Sequence, residues 1–317
     1  MTIKQIYDLA IKLGMAADLR GADKVKAYLA RVKKQYDNLP KNKQTEFDQE
    51  KLTNPYSDTR VLTDNGKNIK KVLVGVDMEG AELLLAKQLG DIDLVMAHHP
   101  EGEALADLAD VMALQAQVLA SYGLPINIAE SLTKPRMSEV DRGVSPANHN
   151  RNVDMAKLLG LNFMCVHTPA DNLGAEFLSD LFKKKAKEIE TVGDIIELLK
   201  TIPEYAAAVK MKAGPMIFAG SEEQSCGKIV VTEFTGGTSG SKEVYEKMAQ
   251  YGFGTIISMH MSEEHRKEAE KYHINVVVAG HMASDSLGLN LFLDELEKKG
   301  VTIVPTSGLI RVKRFKK

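Results

Sequence analysis

Apolar residues follow two helical patterns within the first 70 residues of the chain, and a long polar stretch comes after them. The recurring apolar positions are Ile3, Ile6, Leu9, Ala10 and Leu13 in the first pattern and Val25, Tyr28, Leu29 and Val32 in the second. Spacings of three and four residues place such side chains on one face of a helix. Residues 37–68 are polar, with Asn, Asp, Lys and Pro scattered through them. The pattern predicts two helices and then an extended arm or loop with little core of its own.

From Lys71 onward, short β-branched runs alternate with helical segments. The predicted strands cover residues 71–78, 94–99, 126–130, 163–168, 228–234, 255–260, 275–281 and 301–306. Near-continuous apolar strands that alternate with amphipathic helices are typical of sheets covered by helices on both faces. The sequence therefore predicts an α/β fold.

Four segments of the chain differ in their pattern of apolar and polar residues, and we predict that they are separate structural units. They are a helical, polar N-terminal extension (1–70), a first α/β segment (71–175), a helix-rich linker or subdomain (176–225) and a second α/β segment (226–317).

Composition and charge narrow the range of partners. The formal net charge is −2, which gives no global electrostatic reason to expect nucleic acid or an acidic membrane surface as a partner. No run approaches the ~18 apolar residues of a membrane span, and the N-terminus lacks the apolar core of a signal peptide. Two cysteines in unlike contexts fit a reducing compartment better than a disulfide. We expect a soluble, cytoplasmic protein.

A basic tail is the local exception to this balanced charge. It consists of Arg311, Lys313, Arg314, Lys316 and Lys317. A solvated terminus explains it adequately, with a binding patch as the alternative.

Histidines stand at the ends of three predicted strands, two of them followed four residues later by aspartate. The residues are His98 and His99, His167 with Asp171, and His281 with Asp285. Ligand sites of open α/β sheets form beyond the carboxyl ends of the strands. Imidazole and carboxylate together suit Zn, Mn, Fe or Ni, and six such groups are enough for two ions ~3.5–4 Å apart. A single histidine at a strand end is more often a satisfied, half-buried residue, but all three motifs in one chain favour a metal site.

Two further histidines are weaker candidates. His260 ends the predicted strand 255–260 and could be an additional ligand or a hydrogen-bond donor to one. His265 follows a helix-capping pattern and could face the same site.

A glycine-rich turn lies between a predicted strand and a helix at residues 234–243. Gly236, Gly237 and Gly240 permit a tight turn whose N–H groups could bind an anion at the start of the next helix. The turn is neither a Walker loop nor the dinucleotide fingerprint. An ordinary strand-to-helix connection is an equal alternative.

The order of these motifs resembles that of the Nif-three-like family, also known as dinuclear metal-centre or GTP cyclohydrolase I type 2-like proteins. The shared features are HHP after a strand, His-Thr-x-x-Asp, Gly-Gly-x-x-Gly, and a late Ala-Gly-His-x-x-x-acid, between Lys71 and Arg311. The resemblance implies two related α/β domains with mixed sheets and a metal site between them, and assembly into toroidal hexamers. It places the ligands of two divalent metal ions on His98, His99, Asp171, His281 and Asp285.

Three features depart from the family pattern. The last acid is Asp285 where the family usually has Glu, residues 131–150 lengthen the segment between two motifs, and the extension before Lys71 is unusual. They affect the expected substrate more than the expected metal binding.

The leading functional hypothesis is a metal-dependent hydrolase, GTP cyclohydrolase-like or related, that acts on a small nucleotide-like or phosphorylated substrate. His167 or His260 would transfer protons, and Arg136 and Arg142 would contact an anionic group of the substrate together with the glycine turn. The alternative is a non-catalytic metal-binding scaffold whose N-terminal arm and basic tail bind a regulatory partner. A third hypothesis, a nucleotide-binding protein that uses the glycine turn, predicts affinity that survives chelation.

Overall fold

The computed structural model describes residues 1–315 and contains two β-sheets covered by helices. The strands are β1 (Arg60–Thr63), β2 (Lys71–Gly75), β3 (Leu94–Ala97), β4 (Asn162–Cys165), β5 (Met216–Ala219), β6 (Ile229–Val231), β7 (Thr255–Ser258), β8 (Asn275–Val278) and β9 (Thr302–Pro305). The helices are α1 (Ile3–Ala16), α2 (Ala22–Asp37), α3 (Lys41–Gln44), α4 (Gly80–Leu89), α5 (Glu103–Ala106), α6 (Leu108–Val111), α7 (Ala113–Ser121), α8 (Ile126–Val144), α9 (Arg151–Leu159), α10 (Thr168–Lys185), α11 (Val192–Lys200), α12 (Pro203–Lys210), α13 (Val244–Gln250), α14 (Glu263–Lys271) and α15 (His281–Lys298), with a short 3-10 helix at Gln49–Leu52.

Both sheets are mixed. The first has the strand order β1-β4-β3-β2-β9, in which only the β1–β4 pair is antiparallel. The second has the order β5-β8-β7-β6, in which only the β5–β8 pair is antiparallel. Strands β3, β4, β7 and β8 are buried along their whole length, as expected of parallel strands covered on both faces. The predicted α/β fold, with mixed sheets covered by helices, is confirmed.

Helices α10 and α15 lie between the two sheets and pack against each other. Residues of both helices join one apolar core with β8 and another with β2 and β3. Gly288 permits the close crossing, because a Cβ atom at this position would lie 2.3 Å from the carbonyl oxygen of Ala170. The contact brings the first turns of the two helices, which carry Asp171 and Asp285, to the same place.

The strand predicted at residues 126–130 is wrong, since this segment begins α8. Its buried side chains, Ala129, Thr133 and Val140, recur at helical spacing, while Ile126 is exposed. A run of five residues was too short to show that period. Strands β1 and β5 were not predicted. Both are edge strands, and each has only one buried residue.

The stretch 37–68 was predicted as an extended arm or loop with little core, but it contains buried residues. Residues 54–60 are buried, and β1 pairs with β4 in the first sheet. The two predicted N-terminal helices are present as α1 and α2. The predicted second α/β segment (226–317) also differs from the structure. Its strands do not form one sheet, since the last strand, β9, pairs with β2 of the first sheet. The four-segment division stays a prediction.

The basic tail is not a solvated terminus where the structure describes it. Arg311 Nη2 lies 2.6 Å from Asp294 Oδ1, and Arg314 Nη1 lies 2.6 Å from Glu204 Oε1. Lys316 and Lys317 lie outside the described residues. No helix within residues 1–315 combines the length and apolar character needed to cross a membrane.

Candidate metal centre

The six predicted His and Asp residues meet beyond the carboxyl ends of three strands, two in the first sheet and one in the second. His98 and His99 follow β3, and His167 follows β4, the neighbour of β3 in the first sheet. His281 begins α15 shortly after β8 of the second sheet. Asp171 and Asp285 each lie one helical turn after a histidine, so their carboxylates face the same point as its ring.

Asp285 lies at the centre of the cluster. Its Oδ1 is 3.5 Å from His98 Nε2, and its Oδ2 is 3.6 Å from His99 Nε2 and 3.5 Å from His281 Nε2. Asp171 adds a second carboxylate, with Oδ1 at 3.2 Å from His98 Nε2 and Oδ2 at 3.7 Å from His167 Nε2.

The converging atoms are buried and form no hydrogen bond within the described part of the chain. They are His98 Nε2, Asp171 Oδ1, Asp285 Oδ1 and Asp285 Oδ2. A buried carboxylate without a partner is strongly unfavourable unless a cation compensates its charge. Three overlapping sets have ligand atoms within 4.8 Å of one another: His98, His99 and His167; His99, His281 and Asp285; His98, Asp171 and Asp285. These groups could hold a metal ion.

Hydrogen bonds on the opposite side of three imidazole rings orient their Nε2 atoms toward the cluster. Nδ1 of His98 lies 3.0 Å from the carbonyl oxygen of Val166, Nδ1 of His99 lies 2.6 Å from Asp77 Oδ1, and Nδ1 of His167 lies 2.8 Å from Asp58 Oδ2. A ring nitrogen that faces a carbonyl or carboxylate oxygen carries a proton, so in the neutral ring the other nitrogen presents its lone pair to the centre. Metal-ligating histidines are usually held in this way.

The charges around each histidine decide whether its pKa is raised or lowered. Burial lowers the pKa of His98, but Asp285 and Asp171 outweigh that effect and raise it well above its ordinary value. Burial and the neighbouring His98 lower the pKa of His99, and burial and His281 lower the pKa of His260 to about 4. The cluster therefore favours positive charge between His98 and the two carboxylates.

Sequence reasoning missed Asp58 and Asp77, which support the rings of His167 and His99. Asp77 follows β2 at the same end of the first sheet as His98, so the strand-end rule that identified the histidines could have included it. Asp58 lies before β1, in the stretch interpreted as a polar arm, and nothing in the local sequence distinguished it.

His260 lies beside the cluster rather than in it. Its ring centroid is 5.0 Å from that of His281, and its Nδ1 lies 3.1 Å from the hydroxyl oxygen of Ser239 in the glycine turn. His265 belongs to a different group, where its Nε2 donates to the carbonyl oxygen of Gly240 at 3.1 Å and lies 4.0 Å from Glu233 Oε1.

The glycine turn is held by side chains that bind its carbonyl oxygens. Gln115 Nε2 donates to those of Gly236 (2.8 Å) and Thr238 (2.5 Å), and Arg136 Nε donates to that of Ser239 (3.1 Å). Gly236 and Gly237 both have positive φ angles, 88° and 90°, which explains why glycine occupies these positions. The helix after the turn, α13, is short and begins only at Val244.

Arg136 and Arg142 line a cleft of about 640 Å³ beside the glycine turn. Other lining residues are Ser131, Ser239, Gly240, Lys242, Ser262 and His265. Arg136 pairs with Glu139 (2.9 Å) and Lys242 with Glu264 (2.5 Å), whereas Arg142 bonds to the hydroxyl of Ser138. Neither arginine belongs to the metal-ligand sets, so the structure separates the predicted substrate-binding arginines from the His and Asp cluster.

Comparison with solved structures shows where this fold occurs. A NIF3 superfamily protein from Sphaerobacter thermophilus is 26% identical, with a TM-score of 0.78 over 98% of this chain and 99% of that one. Reduced HcgD from Methanocaldococcus jannaschii is 16% identical (TM-score 0.48, 78% of this chain and 87% of that one). A Bacillus cereus protein related to NIF3 is 11% identical (TM-score 0.43, 81% and 91%). No protein-family model and no curated protein matches the sequence.

The likeness to the Sphaerobacter protein extends over nearly the whole chain, including the N-terminal extension and the second sheet. It agrees with the order of the HHP, His-Thr-x-x-Asp, glycine-turn and Ala-Gly-His motifs along the sequence. The resemblance to the Nif-three-like family inferred from the motifs is confirmed by this likeness to a NIF3 superfamily protein.

Proposed function

We propose that the chain binds two divalent metal ions, of Zn, Mn, Fe or Ni, and is a metal-dependent hydrolase. The ligands would be His98, His99, Asp171, His281 and Asp285. One observation carries the proposal: buried carboxylate oxygens and a buried imidazole nitrogen without hydrogen bonds converge on one point. This donor set fits such ions, and two shared carboxylates suit a pair of neighbouring ions.

One side of the cluster is open to solvent, which supports catalysis over storage. The side chains of His98 and Asp285 are 1% and 0% exposed, whereas those of His99 and His281 are 28% and 38% exposed. A substrate can therefore approach from the side of His99 and His281. A purely structural metal site would be closed on all sides.

Two bound divalent ions would supply an activated water and polarise the bond to be cleaved. The chain itself provides proton transfer at the open side. His260 lies next to His281, and because its pKa is about 4 its ring is neutral near pH 7. With Nδ1 facing Ser239, His260 can accept a proton at Nε2. His167 is more deeply enclosed, so we assign it to the centre rather than to the substrate side.

The substrate would be a small nucleotide-like or phosphorylated molecule bound in the cleft beside the glycine turn. The cleft has the volume of a small-molecule site. Arg142 has no carboxylate partner among the described residues, so its guanidinium is available for an anionic group. Ser239 borders the cleft and contacts His260, whose ring lies beside that of His281 in the cluster. This contact supports a substrate that extends from the cleft to the cluster. Gly236, Gly237 and Gly240 would shape this wall, with Arg136 holding the turn.

A hydrolysis screen tests the proposal. Protein loaded with each of the four metals, with stoichiometry measured by elemental analysis, is assayed against phosphoesters, amides and nucleotides, including GTP ring opening. We expect activity that is lost on chelation and in Asp285→Ala. Absence of all hydrolysis by protein that carries two ions per chain would contradict the enzymatic part of the proposal.

The alternative is a non-catalytic metal-binding scaffold that binds a regulatory partner. One observation argues against the basic tail as its partner-binding segment. Arg311 and Arg314 are engaged in ion pairs with α12 and α15 and are not free for a partner. A nucleotide-binding role for the glycine turn alone would be recognised by affinity that survives chelation. Homo-oligomer formation, as a hexamer, and a cytoplasmic location without nucleic-acid or membrane partners remain predictions.

A further inference from the structure

We infer that Asp58 is a positioning residue of the metal centre, which holds His167 with Nε2 directed at Asp171 and the other ligand groups. The Asp58 side chain is fully buried. Its Oδ2 accepts hydrogen bonds from His167 Nδ1 (2.8 Å) and from the Thr168 hydroxyl (2.6 Å). The inference rests on the metal-binding part of the proposed function and does not require hydrolysis.

The surrounding backbone fixes Asp58 relative to His167. The hydroxyl oxygen of Thr59 accepts a hydrogen bond from the His167 N–H at 3.1 Å. Strand β1 begins two residues after Asp58 and pairs with β4, with Arg60 opposite Cys165, two residues before His167. The buried Arg60 side chain forms ion pairs with Asp48 and with Glu50 (2.7 Å). The N-terminal extension thus forms one wall of the metal centre.

The carboxylate of Asp58 faces the ring of His167. Among the described residues Asp58 forms no ion pair with Arg or Lys, and its Oδ1 is buried without a hydrogen bond. A carboxylate in such a place stabilises a protonated Nδ1 and makes Nε2 a stronger electron-pair donor. His167 Nε2 lies 3.7 Å from Asp171 Oδ2, and His167 shares an all-histidine set with His98 and His99. We therefore assign His167 as an additional metal ligand that depends on Asp58.

Two substitutions separate the hydrogen bonds from the charge. Both donors point at the same oxygen of Asp58, so Asp58→Asn can keep both hydrogen bonds while it removes the charge and places an amide NH2 at the unpaired oxygen. Asp58→Ala loses both. Asp294→Asn is the matched control, because Asp294 is also a buried aspartate, paired with Arg311 on α15 outside the cluster.

The probe is cobalt(II) alone, with affinity measured by competition with a chelator and ligand geometry by visible absorption of the bound ion. We expect Asp58→Ala to lower the affinity by about 10- to 100-fold and to alter the absorption spectrum. Asp58→Asn should have a smaller effect in the same direction. Asp294→Asn should lower stability but leave affinity and spectrum unchanged.

Wild-type affinity and an unchanged spectrum in Asp58→Asn and Asp58→Ala would overturn the inference while the proposed function stands. If Asp58→Ala does not fold, an unchanged Asp58→Asn overturns it. If the wild-type protein binds no cobalt, the proposed metal centre itself is wrong and the inference falls with it. Hydrolytic activity enters none of these measurements.

Discussion

Helix α15 carries two buried groups of charges that differ in how they are compensated. At its start, Asp285 has both oxygens buried without hydrogen bonds among histidines. Further along, Asp294 and Glu297 both pair with Arg311, whose side chain is 9% exposed. The same helix therefore carries one group whose carboxylates form ion pairs with arginine and one whose central carboxylate does not.

This difference in how the carboxylates are paired makes the group around Asp285 the candidate for a function other than stability. The buried ion pairs of Arg311 and Arg314 hold the C-terminal tail against α15 and α12. The buried carboxylate of Asp285 lies among histidine rings, and the charge of a bound cation could compensate it. Asp285 lies at the crossing of α10 and α15. The packing of these two helices therefore holds its carboxylate in a buried position that is unfavourable without a partner.

Asp285→Ala should have the largest effect on metal binding, because Asp285 is the carboxylate shared by three histidines. We expect affinity to fall by more than the roughly 100-fold that loss of a supporting residue causes. Elemental analysis and chelator competition measure this. Full metal content in the variant would remove the distinction between the two groups.

Arg311→Ala should have the opposite profile. It leaves the buried Asp294 without its arginine partner and Glu297 with Lys313 alone, and we expect the free energy of unfolding to fall by about 3–5 kcal/mol. Metal content should not change. Denaturant unfolding of the metal-free protein is the measurement, and loss of metal from a folded Arg311→Ala variant would show that the two groups are coupled.

Added metal should stabilise the wild-type protein and the Arg311→Ala variant by equal amounts. Binding to the folded state alone gives about 2.7 kcal/mol at a metal concentration about 100 times Kd. Asp285→Ala should gain much less. The measurement is the melting temperature with and without a chelator, and an equal gain in Asp285→Ala would point to metal binding elsewhere.

The smallest expected effect concerns Glu233. This buried acid has neither a strong ion pair, as Asp294 has, nor a histidine cluster, as Asp285 has. Its Oε2 lacks a hydrogen bond, its backbone is left-handed (φ 51°), and burial raises its pKa above the ordinary 4.5. The groups that face it are His265 on α14, Arg136 on α8 and Tyr245 on α13.

The folded protein therefore holds the Glu233 proton more tightly than the unfolded chain does. This contribution to stability is fully present below pH 4.5 and is lost as the pH rises through the folded pKa. Glu233→Gln mimics the protonated form, so its advantage over wild type should grow from pH 4.5 toward neutrality. Unfolding free energies across this range, without metal, measure it. A constant difference would mean that Glu233 does not titrate there.

The sequence was informative where one local rule sufficed. Apolar strands that end in histidine marked His98, His167 and His281, and strand-end geometry placed them together. The segment 126–130 shows where such rules fail, because five residues do not distinguish a strand from the first turn of α8.

Contacts between distant segments were not visible in the sequence. Asp58 supports His167 across more than 100 positions, and nothing near Asp58 indicates that partner. The tail arginines likewise were interpreted as solvated because their partners are outside the local sequence, with Glu204 110 positions from Arg314 and Asp294 17 positions from Arg311. Such pairs follow from tertiary packing rather than from local pattern.

The spread of these residues has a consequence for biosynthesis. The cluster needs Asp58, made early, and His281 and Asp285, made near the end, while α15 is anchored by β9 and the tail that follow it. A nascent chain on the ribosome cannot present the complete set of donors until α15 has emerged. Under the proposed function, metal binding would therefore follow the synthesis of α15, and fragments cut short before α15 would leave the histidines of the first sheet without Asp285.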